Sequence, residues 1–316
     1  MLYDVSRPLH SSSRCQNIAP LKNETLHTAL LTAVAMLAFA GNSLLCRMAL
    51  KLTAIDAASF TSVRMVSGAL ALWLLLRFRS GATTRSTNPG AVYGNWGSAV
   101  ALFAYAALFS YAYVGMTAAT GALLLFGAVQ ASMIGWGLAH GERLRPLQTL
   151  GFAAALAGLA ALMLPGLAAP HWSDALAMLG AGVAWGVYSL RGKTATPGLA
   201  ADPLATTCGN FVRTVPMTVA LSVASAVALP SVQPDVMGIA LAVASGAITS
   251  GLGYALWYRA LPALQATHAA TVQLSVPVLA AIGGVLMLGE SFGWLLLASS
   301  VAILGGITLV LRKAGP

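Results

Sequence analysis

Apolar residues in this chain neither alternate with polar ones nor recur at a helical spacing. They come in blocks, at 26–48, 55–77, 92–115, 117–139, 146–166, 173–190, 203–229, 236–259, 265–288 and 291–311. A helix rises about 1.5 Å per residue, so about 20 apolar residues cross the hydrocarbon core of a bilayer. The pattern predicts an all-α integral membrane protein with ten transmembrane helices. Short connections leave no room for a soluble catalytic domain. Two polar stretches stand apart, one up to Glu24 and one from Arg79 to Gly90. Residues 1–24 lack any period and read as a disordered cytoplasmic tail. The first block contains Ala38-Phe39-Ala40, which has the look of a signal-peptidase site. The apolar run continues through Leu44 and Leu45, so the block reads as a retained span.

Composition agrees and removes other classes. Apolar residues make up 58% of the 316 positions and charged residues 8%, against about 45–50% and about 25% in soluble domains. Twenty-five charged side chains cannot coat a soluble globule of this length. A soluble enzyme and a disordered chain are both excluded. The net charge of +9 does not point to nucleic acid, because the basic residues are scattered between apolar blocks. They report topology instead. With the N-terminus inside, thirteen of the 17 lysines and arginines fall on the cytoplasmic side and only Arg47 and Lys51 outside. Arg64 and Arg213 lie within apolar runs. Both termini are therefore expected in the cytoplasm. Cys15, Cys46 and Cys208 have no paired spacing, which argues against a disulfide framework or a zinc site. No metal or cofactor is expected.

The two halves of the chain repeat. Phe39-Ala40-Gly41-Asn42-Ser43-Leu44-Leu45-Cys46-Arg47 resembles Ala184-Trp185-Gly186-Val187-Tyr188-Ser189-Leu190-Arg191, Arg64 matches Arg213, and Gly141-Glu142 matches Gly289-Glu290. The offsets are 145, 149 and 148 residues for Gly41/Gly186, Arg64/Arg213 and Glu142/Glu290. Five spans per half is an odd number, so the second half enters the membrane from the opposite face. The expected architecture is two inverted five-helix repeats, residues 25–167 and 168–316, with a site near the midplane where they meet.

The stretch Gly253-Tyr254-Ala255-Leu256-Trp257-Tyr258-Arg259-Ala260-Leu261-Pro262-Ala263, then Pro277 and Leu288-Gly289-Glu290, resembles the drug/metabolite transporter superfamily and, within it, the EamA family. The first half repeats the pattern in Gly121 to Gln130 and Gly141-Glu142, departing from it at Gln130, close to where the second half has Pro277. The resemblance covers nearly all of residues 26–311. It implies a ten-helix carrier that exports small metabolites, including amino acids in some members and drugs or nucleosides in others, across a bacterial inner membrane.

The candidate chemistry is sparse. Asp4, Glu24, Asp56, Glu142, Asp174, Asp202, Asp235 and Glu290 all fall in the tail or near span ends. None is placed to act as a midplane proton relay. His268, just inside the ninth block, is either a coupling group or an interfacial imidazole. Arg64 and Arg213 cost about 2.5–3.5 kcal/mol each at a helix centre. They either bind a substrate carboxylate or cap the carbonyls of broken helices or snorkel to an interface, and their symmetric placement favours the architectural role. The substrate-binding candidates are Asn42, Ser43, Arg64, Gln130, Trp185, Tyr188, Tyr254, Trp257 and Gln273. The polar ones could hold an amino or carboxyl group, and the rings could stack on a planar substrate. Any of the aromatics could equally be an interface anchor. Pro277 is a candidate hinge, Arg213 a structural arginine, and Glu142 and Glu290 either a gate or salt bridge between the halves or the carboxylate that starts the next helix.

The leading expectation is a secondary transporter exporting amino acids or related small metabolites by alternating access. A multidrug or cationic-compound exporter of the same fold is the alternative. No phosphate-binding GxxxxGK[ST] loop, HExxH or paired intramembrane acids occur, which argues against an ATP-driven pump and a membrane-embedded enzyme. A non-transporting scaffold is a weaker alternative. Expected partners are a small-molecule substrate and the lipid bilayer, without nucleic acid. Monomer and homodimer both fit.

Overall fold

The computed structural model describes residues 19–80, 93–141, 143–162, 170–193, 202–228, 235–264, 272–291 and 293–311. Among these the chain forms ten helices and no strands: α1 (Ala19–Leu52), α2 (Ala57–Ser80), α3 (Trp96–Gly115), α4 (Ala118–Ala139), α5 (Pro146–Leu162), α6 (Trp172–Lys193), α7 (Pro203–Ala228), α8 (Val236–Ala260), α9 (Ser275–Leu288) and α10 (Trp294–Leu311). In lipid, a spanning segment must satisfy its own backbone groups, and the helix does this without partners. Helix α1 starts at Ala19, inside the segment expected to be a disordered tail.

Starts and stops follow the side chains. Asp56, Asn95, Thr117, Asp202 and Asp235 each accept a hydrogen bond from a backbone N–H in the first turn of the helix they precede. Each satisfies a donor that has no partner within its helix. Pro146 and Pro203 open α5 and α7, where the missing N–H costs nothing. Gly289 closes α9 in the left-handed region at φ 62°, a conformation cheap only for glycine.

Seven of the ten helices are long and apolar enough to cross a membrane. Helices α5 and α9 are shorter, at 17 and 14 residues. Helix α6 has 22 residues, but Asp174, Arg191 and Lys193 dilute its apolar run. Large apolar side chains such as Leu37, Leu70, Val219, Leu286 and Val301 point outward and are exposed. A soluble protein would bury most of them, whereas a lipid-facing perimeter requires them. The chain is a multi-pass membrane protein.

Contacts at helix ends show how the chain runs. The C-termini of α1, α3 and α9 meet the N-terminus of α4, through Arg47, Tyr113, Glu290 and Ala118. At the other end, the C-terminus of α2 meets the start of α7 through Arg79 and Asp202. There too the C-terminus of α6 meets the start of α3 through Arg191 and Asn95, and the start of α5 meets the end of α10 through Gln148 and Val310. Successive helices therefore run in opposite directions. Helices α2 and α7, α4 and α9, and α5 and α10 pack as pairs. Contacts of α3 with α6 are matched by those of α1 with α8. Likewise α4 with α6 is matched by α1 with α9, and α3 with α7 by α2 with α8.

Two of these contacts depend on glycine. Between α5 and α10, a Cβ on Gly151 would stand 2.5 Å from the Gly306 carbonyl, and a Cβ on Gly306 would stand 2.4 Å from the Gly151 carbonyl. Between α2 and α8, a Cβ on Gly246 would stand 2.1 Å from the Arg64 carbonyl oxygen. Backbone approach this close is how small residues drive helix association in membranes. Gly306→Leu should therefore lower the thermal midpoint of the detergent-purified protein, by about 1–3 kcal/mol of overpacking. Gly305→Ala, with nothing within 4 Å of the added methyl, should leave it unchanged.

Candidate functional site

The centre of the molecule holds a hydrogen-bonded ring of side chains from four helices. Arg64 on α2 is 1% exposed. Its Nε donates to Ser250 Oγ (3.1 Å) and its Nη2 to the Tyr105 hydroxyl (3.2 Å). Asn42 on α1 donates from Nδ2 to the same hydroxyl (3.3 Å). The Asn42 Oδ1 accepts from Ser245 (2.7 Å), Thr249 (3.3 Å) and Ser250 (3.5 Å) on α8. The ring closes from arginine to serine to asparagine to tyrosine and back. It joins α1, α2 and α3 of the first half to α8 of the second.

Local backbone makes this possible. Residues Ser245–Leu252 of α8 wind as a π-helix. Such wider turns are rare and recur at functional sites. This one brings Ser245, Thr249 and Ser250 together against Asn42. Gly246 lets the backbone of α2 lie against the π segment, so the Arg64 side chain reaches Ser250.

The guanidinium also lies over two rings, 5.3 Å from the centre of Tyr105 and 4.9 Å from that of Phe109. Both rings face a positive charge, a favourable arrangement out of water. Neither of the two ion pairs among the described residues includes Arg64.

Beside the ring lies a cavity of about 20 Å³, lined by Phe39, Asn42, Ser43, Tyr105, Phe109, Leu125, Phe126, Trp185 and Tyr254. That is room for about one water. Its aromatic walls pack on one another, with Tyr105 and Tyr254 each 4.9 Å from Trp185, and Phe39 5.7 Å from Tyr254.

Of the residues singled out from sequence, Asn42, Ser43, Trp185 and Tyr254 line this cavity and Arg64 stands behind its wall. Trp257 is buried one layer away, 6.0 Å from Phe39. Tyr188 is buried beside Trp185 and accepts a hydrogen bond from Asn210. Gln130 is buried further along α4, beyond the lining residues, and Gln273 is half-buried just before α9. Arg213 donates to the carbonyls of Tyr93 (2.6 Å) and Gly209 (2.8 Å), so it ties the entry of α3 to α7. Pro277 sits in the first turn of α9, three residues after an interruption at Leu274 that parts α9 from the helical residues Val272 and Gln273, and it lines a separate apolar groove between α4, α9 and α10. Glu142 and His268 lie outside the described residues.

Glu290 does not serve the helix that follows it. Its Oε1 pairs with Arg47 Nε (3.2 Å) and its Oε2 accepts from the Ala118 N–H at the start of α4 (2.8 Å). Arg47 also donates to the Tyr113 and Val114 carbonyls at the end of α3, both at 2.9 Å. One carboxylate thus caps a helix in the other half, and its cation caps another. Both satisfy orphan backbone groups and the helix dipoles.

Sequence reasoning misses Tyr105, Ser245, Thr249 and Ser250. Tyr105 carries a usable signal, since it lies 149 residues before Tyr254, the same offset as Arg64 to Arg213.

Comparison with known proteins agrees with this architecture. An uncharacterised protein of Pseudomonas aeruginosa is 53% identical over 284 residues, covering 90% of this chain and 94% of its own. The EamA-like transporter family matches residues 172–312. The chain belongs to the EamA-like transporter family. A solved crystal structure superposes on this EamA-like chain with a TM-score of 0.61 at 17% identity, covering 90% of this chain and 96% of that one. At that identity the likeness speaks for the fold alone.

The Arg47–Glu290 pair of this EamA-like protein is largely shielded, with side chains 13% and 5% exposed. Removing one member of such a pair leaves an unpaired charge and costs about 3–5 kcal/mol. Glu290→Ala and Arg47→Ala should each lower thermal stability, and the double variant should lose clearly less than the sum. Simple additivity in that cycle would show the pair to be uncoupled.

Proposed function

We propose that this EamA-like chain is a secondary transporter exporting small metabolites, foremost amino acids and related compounds, across the bacterial inner membrane by alternating access. The single observation that carries this reading is the buried polar ring with its aromatic cavity, built where the two halves of the chain meet. Buried polar groups in a membrane protein face the interior or a substrate path, and they mark function.

Matched helix contacts support two inverted five-helix repeats, each ordered helix for helix like the other. Tyr105 and Tyr254, at equivalent repeat positions, line the same cavity. The opposite directions of successive helices support ten passes, with α5, α6 and α9 included despite their shorter or more polar runs. Excess basic residues at the Arg79 end favour a cytoplasmic position for that end and for both termini.

Ion pairs tie the halves at both ends, Arg47–Glu290 outside and Arg79–Asp202 inside. A carrier must break one set while keeping the other. The cavity has room for about one water, so substrate enters only when one end opens.

A multidrug or cationic-compound exporter is the second reading, favoured by the aromatic walls around Trp185. Among the described residues no acid lines the cavity: Asp56, Asp202, Asp235 and Glu290 sit at helix ends on backbone N–H groups.

The test is counterflow in proteoliposomes loaded with amino acids, nucleosides or lipophilic cations. Amino acids should give saturable exchange that falls at least about tenfold in Asn42→Ala, which breaks the ring. Replacing Arg79 and Asp202 by cysteines, with the native cysteines changed to serine, should allow oxidation to lock the inner end and stop flux reversibly. Exchange no faster than in protein-free vesicles for every compound would refute the carrier. Full flux under complete cross-linking would refute alternating access at that end.

A further inference from the structure

The central ring has more donors than acceptors. A guanidinium carries five N–H groups. Arg64 places one on Ser250 and one on Tyr105, and its Nη1 has no hydrogen-bond partner among the described residues. The Tyr105 hydroxyl accepts from both Arg64 and Asn42, which leaves its own hydrogen to donate. The Tyr254 hydroxyl, in a residue 2% exposed and in the cavity wall, has the Tyr105 hydroxyl as its polar neighbour and makes no well-formed hydrogen bond among the described residues. Ser245 and Ser250 of α8 both donate to one acceptor, the Asn42 Oδ1, and Thr249 Oγ1 lies beside it while donating at 2.8 Å to the Ser245 carbonyl.

A buried donor without an acceptor costs about 1–3 kcal/mol, and more when charged. A lone positive charge costs more still in a membrane interior. The rings of Tyr105 and Phe109 offset part of it, but a ring face accepts no conventional hydrogen bond. No described residue of the surrounding helices supplies the missing acceptor. The acids of the two described ion pairs are committed at the helix ends.

We propose that Arg64 Nη1, with the Tyr105 and Tyr254 hydroxyls, is the binding site for a substrate carboxylate. The inference rests on the carrier reading and narrows its substrate class to compounds bearing a carboxylate. A carboxylate offers two oxygens and about four acceptor positions, matching the surplus of donors. It also supplies the negative charge that the site lacks, and charge-assisted hydrogen bonds are the strong ones. Tyr105 is at once the cavity wall and the acceptor for Arg64. The aromatic faces of Phe39 and Trp185 then border the rest of the bound molecule. Asn42 and Ser250 are positioning residues: they hold the guanidinium and the Tyr105 hydroxyl in place.

The test uses the full chain in detergent, with tryptophan fluorescence and thermal midpoint as readouts. The probes are acetate, benzoate and L-phenylalanine, with acetamide, benzamide and benzylamine as matched compounds lacking the carboxylate. At least one carboxylate should raise the midpoint and change the fluorescence of Trp185, and its matched amide and amine should not. In Arg64→Met, which removes the charge but keeps an apolar stem, the carboxylate should bind at least about tenfold more weakly. Tyr254→Phe, which deletes only a hydroxyl with no well-formed hydrogen bond, should fold normally and weaken carboxylate binding severalfold. Equal binding of benzoate, benzamide and benzylamine overturns the proposal, as does unchanged carboxylate affinity in Arg64→Met. So does no response to any carboxylate, the result expected if the site holds only water. The carrier reading fails separately, by absence of flux in vesicles, whatever the carboxylates do in detergent.

Discussion

The charge of Arg64 is the constraint from which the centre of this protein follows. An arginine buried between apolar helices cannot be neutralised, and it demands acceptors from whatever packs around it. Here they come from two other helices, a serine of α8 and a tyrosine of α3, and an asparagine of α1 holds both in place. The π segment of α8 and the glycine at 246 are consequences of that demand. A regular helix with a side chain at 246 would keep α2 and α8 apart, because a Cβ there already meets the Arg64 carbonyl. Networks of this kind fix one arrangement of helices where apolar packing alone would allow several.

The acids follow the opposite rule. Asp56, Asp202, Asp235 and Glu290 sit where helices begin and end, and each accepts from backbone N–H groups. A carboxylate there is stabilised by the helix dipole and by donors that need an acceptor. Glu290 adds a twist, because the helix it caps is α4, from the other half of the chain. Gly289 and Gly284 make this possible. The first turns the chain through the left-handed region, and the second leaves room for the carboxylate, whose oxygen would stand 2.6 Å from any Cβ added there. The Gly-Glu pair is thus a device for turning a helix end toward a neighbour.

Much of this is legible in the order of the amino acids. The ten apolar blocks coincide with the ten helices to within a few residues at most ends, since block length and polar punctuation are strong signals in a membrane chain. Asn42, Arg64, Trp185 and Tyr254 stand out because a polar or aromatic residue inside an apolar block has few cheap positions. The serines and threonine of α8 do not stand out. Short hydroxylated residues occur throughout these helices and usually bond to their own backbone, as Thr61 and Ser110 do. Only the change of winding at Ser245 gathers three of them on one face, and no residue pattern announces a π turn. For Glu290 the sequence offers both a salt bridge between the halves and a cap for the following helix, but it does not announce the second contact, because Ala118 lies 172 residues away. Pro277 reads as a kink within a long span, and the winding is interrupted at Leu274, three residues before it, with helical residues on either side.

The two ion pairs between the halves are unequal, and that inequality bears on motion. Arg47 and Glu290 are 13% and 5% exposed, and three further hydrogen bonds to backbone hold them. Arg79 and Asp202 are 56% and 24% exposed. Separating an exposed pair costs about 0–1 kcal/mol, because water takes over both charges. Separating the shielded pair strips two charges of their partners and uncaps two helix ends as well. Water must therefore enter the Arg47 end before it can open, whereas the Arg79 end already meets solvent. Of the two ion pairs the Arg79 one is therefore the cheaper to part, and the rest of that end is held by Arg191 on Asn95, Arg213 on the Tyr93 carbonyl and Gln148 on the Val310 carbonyl. The glycine contact of α5 with α10 gives no such relief, because apolar backbone-to-backbone packing gains nothing from water. Those two helices are then the natural fixed frame.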